Sequence, residues 1–247
     1  MGDAGMLKFV EVDQAYPEKR DAAARGHDFL EIARPFLAER AETQAARCSQ
    51  CGVPFCQVHC PLGNHIPDWL KLTAENRLRE AYELSASTSS MPEVCGRICP
   101  QDRLCEGNCV IEQSGHGAVT IGAVEKFLTD TAWEQGWVAP LVPLADREAQ
   151  SVGIIGAGPA GLTAAEALRI KGYRVHVYDR HDRAGGLLTY GIPGFKLEKP
   201  VVMRRIERLA AGGVVFHPGF EVGRDASLAE LRTRHDALLV ATGVYRA

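Results

Sequence analysis

Eight cysteines lie between positions 48 and 109 in two groups of four, and none occurs elsewhere in the 247 residues. The first group is Cys48-x2-Cys51-x4-Cys56-x3-Cys60, and the second is Cys95-x3-Cys99-x5-Cys105-x3-Cys109. Three fillings suit such a pattern: disulfides, zinc, or iron–sulfur clusters. The opening MGDAGMLKFV has no basic start followed by a long apolar run, so no export signal is read and a cytoplasmic location is expected. Thiols are kept reduced there, which disfavours disulfides. Zinc sites usually show paired short spacings, and only Cys48/Cys51 has that form. Spacings of three to five residues, with Pro61 and Pro100 directly after Cys60 and Cys99, are closer to ferredoxin-type ligation. In two-cluster proteins the last cysteine of a run often serves the other cluster, so ligands cross over. Two clusters are the expectation, with zinc as the competitor.

The rest of the composition narrows the partners. A net charge of −3 with 24% charged residues argues against broad binding to nucleic acid or acidic membranes. The longest apolar stretch, Val152 to Leu168, is interrupted by glycines, Pro159 and Glu166, so it is not a membrane span. Met6 stands where an N-myristoylation site needs Ser or Thr.

The two halves of the chain read differently. Positions 1–145 are expected to form a helical domain holding two clusters, and 146–247 the first part of a Rossmann-like domain; VAPLVPLADREAQ (138–150) is the linker. In the first half, residues 20–48 have apolar positions at helical spacing, broken at Pro35. Residues 66–87 predict two short amphipathic helices, and a further helix is expected from about Thr120 to Trp133. On that last helix Ile121, Val124, Leu128 and Ala132 share a face, and Glu125 lies within it, while Lys126 and Asp130 point away. A carboxylate on a buried face needs a partner. The options are an arginine or an iron atom. Arg47, Arg97 and Arg103 neighbour thiols and would stabilise a negatively charged cluster, or they are ordinary solvated side chains. His59, beside Cys60, is a minor candidate for tuning a cluster.

In the second half, SVGIIGAGPAGLTAAEALRIKGYRVHVYDR predicts strand, glycine turn, helix and strand. Gly156, Gly158 and Gly161 with Ala157, Pro159 and Ala160 would let backbone approach a pyrophosphate at the helix N-terminus. Asp179 closes the second strand and can accept hydrogen bonds from ribose hydroxyls. A second glycine pair, Gly185-Gly186, and the strand end Ala241-Thr242-Gly243 favour FAD over NAD(P). Arg180, Leu187, Lys196 and Val222 complete the candidate cofactor-binding set.

These motifs together resemble the small (beta) subunit of NADPH-dependent glutamate synthase. The segments that carry the resemblance are QAARCSQCGVPFCQVHCPLGNHIPDWL, CGRICPQDRLCEGNCVIEQ, VTIGAVEKFLTDTAWEQGW, GAGPAGL and YDRHDRAGGLLTYGIPGFKLEK. Related flavoproteins share the arrangement, among them dihydropyrimidine dehydrogenase and an NADPH–ferredoxin transhydrogenase. The stretch STSSMPEVC departs mildly from the family's form. The resemblance implies that Cys48, Cys51, Cys56 and Cys109 hold one [4Fe–4S] cluster. It implies that Cys60, Cys99 and Cys105 hold the other, with Glu125 as fourth ligand and Cys95 as its competitor. It further implies electron flow from NADPH through FAD and the clusters to a large (alpha) subunit, which forms glutamate from glutamine and 2-oxoglutarate. No acid–base residue of a hydrolytic kind is expected, since the cofactors carry the chemistry.

Only one GxGxxG is present, whereas the family has a second in an NADPH domain after the Ala-Thr-Gly strand. The chain is therefore expected to be an N-terminal piece of such a subunit, with an incomplete FAD half-site and the NADPH site in the missing part. In that form a non-catalytic iron–sulfur interaction module is the alternative.

Overall fold

The computed structural model describes residues 5–144 and 147–244, without the side chains of 147–149. Met1 and Gly2, and the boundary at residues 145 and 146, lie outside the described residues. The chain divides into two compact units, Met1–Val138 and Ala139–Ala247. Residues 139–144 already pack within the second unit: Leu141 is buried and Leu144 N donates to Ile170 O.

The first unit is helical. A 3-10 turn, Lys8–Val10, precedes α1 (Ala22–Arg25), α2 (Ala38–Ala45), α3 (Phe55–Val58), α4 (Ile66–Ala74), α5 (Leu78–Ala86), α6 (Pro92–Ile98), α7 (Val110–Gln113) and α8 (Ile121–Glu134). The expected pair α4 and α5 and the expected α8 are present to within about a residue, because their apolar positions meet in one core. Trp69, Leu70, Ile111, Ile121, Val124 and Leu128 are buried together with Cys48 and Cys109. Asn64 takes the Trp69 indole N–H at 2.7 Å and donates to Ser85 O at 2.7 Å, so the indole and the Asn64 amide are paired within that core.

The helical expectation for residues 20–48 needs correction. Helix is confined to α1 and α2, and the backbone just before α1 pairs in extended form with the segment that follows it: Lys19 bridges Ala33, and Arg20 N donates to Ile32 O. Asp28 accepts from Leu30 N and pairs with Arg20, a local turn that competes with helix. The helically spaced Phe29 is 75% exposed, so there is no core face to stabilise a helix here.

Helices α6 and α8 come into unusually close contact at Gly96. A Cβ there would lie 2.6 Å from Lys126 N and 2.9 Å from Gly122 O. Only glycine permits this approach, and it sets the cysteines of α6 against the Glu125 stretch of α8.

The second unit is a four-stranded parallel sheet in the order β3-β2-β1-β4. Its elements are β1 (Arg147–Ile155), α9 (Pro159–Ile170), β2 (Tyr173–Asp179), α10 (Leu187–Tyr190), α11 (Lys199–Ala211), β3 (Val214–Pro218), α12 (Leu228–Arg234) and β4 (Ala237–Val240). Ile154 stands opposite Val177 on one side and Leu239 on the other. Along β2, buried Val175 and Val177 alternate with His176 and Tyr178, which therefore face the opposite side of the sheet. The expected β1, α9, β2 and β4 are all found. The Ser227 cap of α12, reciprocated by Glu230, is a capping box.

Candidate functional site

In the first unit the eight cysteines are free thiols gathered into two sets. Cys48 sits on the turn that ends α2, Cys51 and Cys56 flank the loop into α3, and Cys109 immediately precedes α7. These four line one small cavity with Pro54, Phe55, Leu70 and Ile121. Backbone and side-chain N–H groups of Gln50 approach Cys48 Sγ at 3.5 and 3.4 Å, and Ser49 Oγ lies 2.9 Å from Cys51 Sγ. Burial, with Cys109 and Cys51 adding to it, pushes the Cys48 thiol up to about 11 against the pull of the Gln50 hydrogen bonds. Burial, with Cys48, Cys109 and Cys51, pushes Cys56 up to about 12. Buried thiols that resist ionising, as Cys48 and Cys56 do, need a cationic core to hold them as thiolates. The four sulfurs surround a common space rather than one point. Among the described residues no group of three His, Cys, Asp or Glu side chains closes on a single-ion site.

The second set combines Cys60, Cys95, Cys99, Cys105 and Glu125. Burial and the charges of Glu106, Glu125 and Cys60 raise the Cys105 thiol. Cys99 is lowered, first by a hydrogen bond from Cys95, whose own thiol is raised by that same contact and by burial. Ser89 Oγ lies 3.7 Å from Cys95 Sγ. Glu125 retains some exposed residue surface, but burial, followed by the charges of Cys95 and Glu93, holds its carboxyl well above the usual carboxylate range. Ser85 is the favourable neighbour of that carboxyl, and its buried hydroxyl has no fully formed hydrogen bond.

The arginines separate. Arg97 is committed to Glu31 at 2.5 Å and Asp130 at 2.7 Å, and Lys126 also pairs with Glu31. Among the described residues no ion pair reaches Glu125. Arg103 and His59 are exposed, and Arg47 is fully buried.

In the second unit a pocket of about 570 Å³ opens over the C-terminal ends of β1, β2 and β4. Gly156, Gly158, Pro159, Ala160, Asp179, Arg180, Gly186, Leu187, Val222, Ala241, Thr242 and Gly243 all line it. The sheet's switch point lies there, between β1 and β4, with the N-terminus of α9 directed at the space. Asp179 is oriented by two backbone donors: Ala157 N to Oδ2 at 2.7 Å and His181 N to Oδ1 at 2.9 Å. Each oxygen keeps acceptor capacity for a ligand hydroxyl. Three expected residues do not line the pocket. Ala157 acts through Asp179. Gly161 lies beneath the turn, where a Cβ would meet Gly156 O at 1.9 Å. Lys196 is exposed in the turn after Pro193 and is not brought to the pocket.

Tyr178, Phe220, Glu221 and Leu228 also line the pocket and were not anticipated. Tyr178 precedes Asp179 at a strand end, a signal that could have marked it; the loop after β3 had no such signal. Behind Tyr178 lies a polar relay. His235 is buried, with Ser151 Oγ 2.6 Å from Nδ1 and Tyr178 Oη 2.9 Å from Nε2. Burial, then His217, Arg234 and Arg174, lowers the pKa of His235. His176 and His217 shift the same way, chiefly through burial, and pair at 3.0 Å. A histidine whose folded pKa is depressed contributes stability that is present above the unfolded value and lost as pH falls through it. Thermal unfolding of the chain is therefore expected to move to lower temperature as pH drops below about 6.5. The slope of Tm against pH should be shallower in a His235→Gln protein, and an identical slope would contradict the assignment.

Two families match by sequence. Residues 25–137 match the family described as dihydropyrimidine dehydrogenase domain II, 4Fe-4S cluster, and residues 154–202 match the NAD(P)-binding Rossmann-like domain. The chain is 69% identical over its whole length to the glutamate synthase [NADPH] small chain of Azospirillum brasilense, covering 51% of that protein. Over its whole length the chain is similar to glutamate synthase small chains. Small chains of Escherichia coli (strain K12) and Halomonas elongata are 46% and 47% identical over 98% and 97% of it, covering 51% and 50% of theirs. The chain thus spans about half the length of the curated small chains it matches. Its iron–sulfur domain precedes its Rossmann-like region, as expected. No helix among the described residues is long and apolar enough to cross a membrane.

Proposed function

We propose that this chain is the electron-transfer portion of a cytoplasmic glutamate synthase small subunit, an oxidoreductase that delivers reducing equivalents from NADPH to a large-subunit partner. The observation that carries the reading is the gathering of the crossed cysteine sets in one unit together with the presence of a dinucleotide-type pocket in the other. When bound, a flavin and two [4Fe–4S] clusters supply the hydride-accepting and single-electron chemistry. The protein's own part is to hold, insulate and bias them.

Cys48, Cys51, Cys56 and Cys109 would hold the first cluster, with Gln50 and Ser49 donating to sulfur. Cys60, Cys99, Cys105 and Glu125 would hold the second. Glu125 faces both Cys99 and Cys105, whereas Cys95 faces Cys99 and is not among the groups that shift Cys105, which favours Glu125 over Cys95 as the fourth ligand. The absence of an ion pair to Glu125 among the described residues agrees with that role. In the second unit the amides at the start of α9 would bind pyrophosphate, Asp179 the ribose, and the close approach of Gly186 to Gly158 would leave room for the extended middle of FAD. NADPH would bind outside this pocket. The large subunit would form glutamate from glutamine and 2-oxoglutarate.

The test is metal and sulfide content of protein prepared without oxygen. About eight irons and eight sulfides per chain are expected. About two zincs without sulfide would replace the electron path with a structural zinc module.

A further inference from the structure

The two cysteine sets have opposite electrostatic surroundings, and the difference centres on Arg47. Its side chain is fully buried. Nε donates to Val12 O at 2.8 Å, Nη1 to Ala118 O, and Nη2 to His116 O at 2.6 Å and Gly117 O at 2.9 Å. Every acceptor is a neutral carbonyl. Carbonyl dipoles satisfy the donors, but they leave a whole positive charge uncancelled in a low-dielectric interior, where burial is costly. Among the groups facing it, Cys109 is the strongest, followed by Asp13, Glu112 and Tyr16. Cys109 belongs to the first set, and Cys48 of that set follows Arg47 directly in the chain.

The second set has the reverse. Glu93 is fully buried and faces both Glu125 and Cys95. Glu106 is buried and is the strongest charge on Cys105. Burial raises its pKa, and its oxygens accept from Gly122 N at 2.9 Å and Tyr16 Oη at 2.7 Å, bonds that oppose that shift and favour a carboxylate.

Reducing a cluster adds one electron, with no bond made or broken, and so adds one negative charge. A buried cation lowers the cost of that charge, and buried carboxylates raise it. Resting on the two-cluster reading above, we infer that Arg47 makes the first cluster the more readily reduced of the pair, while Glu93 and Glu106 keep the second at lower potential. With both cofactors bound, the first electron would rest at the site held by Cys48, Cys51, Cys56 and Cys109. Arg47 acts here as a positioning charge and touches no substrate.

The experiment is a redox titration of the anaerobic protein with dithionite, followed by electron paramagnetic resonance, after counting iron and sulfide. Two separate waves are expected. Arg47→Gln should move only the more positive wave, to lower potential, and Arg47→Lys, which keeps the charge, should restore most of it. Glu106→Gln should move only the more negative wave, upward. Full iron content with both waves unmoved in Arg47→Gln, or a downward shift of the more negative wave, overturns the role of Arg47. Arg47 also ties residue 12 to residues 116–118, so Glu106→Gln decides the order if Arg47→Gln does not fold. A rise of the more positive wave in that variant overturns the order. Iron well short of eight in the unaltered protein instead removes the cluster reading itself, and the inference with it.

Discussion

A Glu125→Ala protein is expected to lose one of its two clusters, so that its iron and acid-labile sulfide fall from about eight to about four per chain. A Cys95→Ala protein is expected to keep both. The contrast follows from geometry. Cys95 faces Cys99 and is not among the groups that shift Cys105, whereas Glu125 faces both, with its charge opposed by burial, Cys95 and Glu93. A carboxyl so placed gains from an iron cation and loses without one. The resonance signal of the remaining cluster should be unchanged, because none of the first set's four cysteines lies on α8. Full iron in Glu125→Ala together with half in Cys95→Ala would reverse the assignment.

The second large effect is expected at Gly161. A methyl group there would sit 1.9 Å from Gly156 O, well inside contact distance, so the start of α9 must shift away from the glycine turn. The amides that face the pocket move with it. Gly161→Ala is expected to weaken FAD binding on the order of 100-fold, about 2.7 kcal/mol, while the iron content stays full. Titration of the apoprotein with FAD, followed by flavin fluorescence, measures it. Affinity within a factor of two of the unaltered chain would mean that FAD does not rest on this turn.

Much of this could be read from residue order alone, where local rules and tertiary packing agree. The βαβ opening has its glycines, its helix and Asp179 in register, and each element formed where expected. The buried face of α8 was legible because Ile121, Val124, Leu128 and Ala132 repeat at helical spacing. The failures are equally local in origin. Helical spacing around Phe29 predicted a face that nothing covers, and the backbone there follows the Asp28 turn and the Lys19–Ala33 bridge. Lys196, expected in the cofactor set, stands in an exposed turn and does not line the pocket. Arg47 was visible as a neighbour of Cys48, but its enclosure by four carbonyls depends on residues 12 and 116–118, and chain distance concealed it. The Ser151–His235–Tyr178 relay was hidden for the same reason.

The meeting of Cys109 with Cys48, Cys51 and Cys56 has a bearing on how the protein is made. Neither set is complete on a growing chain until most of the first unit has been synthesised: one lacks its last thiol until position 109 emerges, and the other lacks Glu125. Until then the N-terminal thiols have no metal to hold them, and closing so long a loop carries an entropic cost that no early contact offsets. On this ligand set, maturation would follow translation of most of the helical unit. The interval before it is when the nascent protein is most open to oxidation and most dependent on a supply of iron and sulfide.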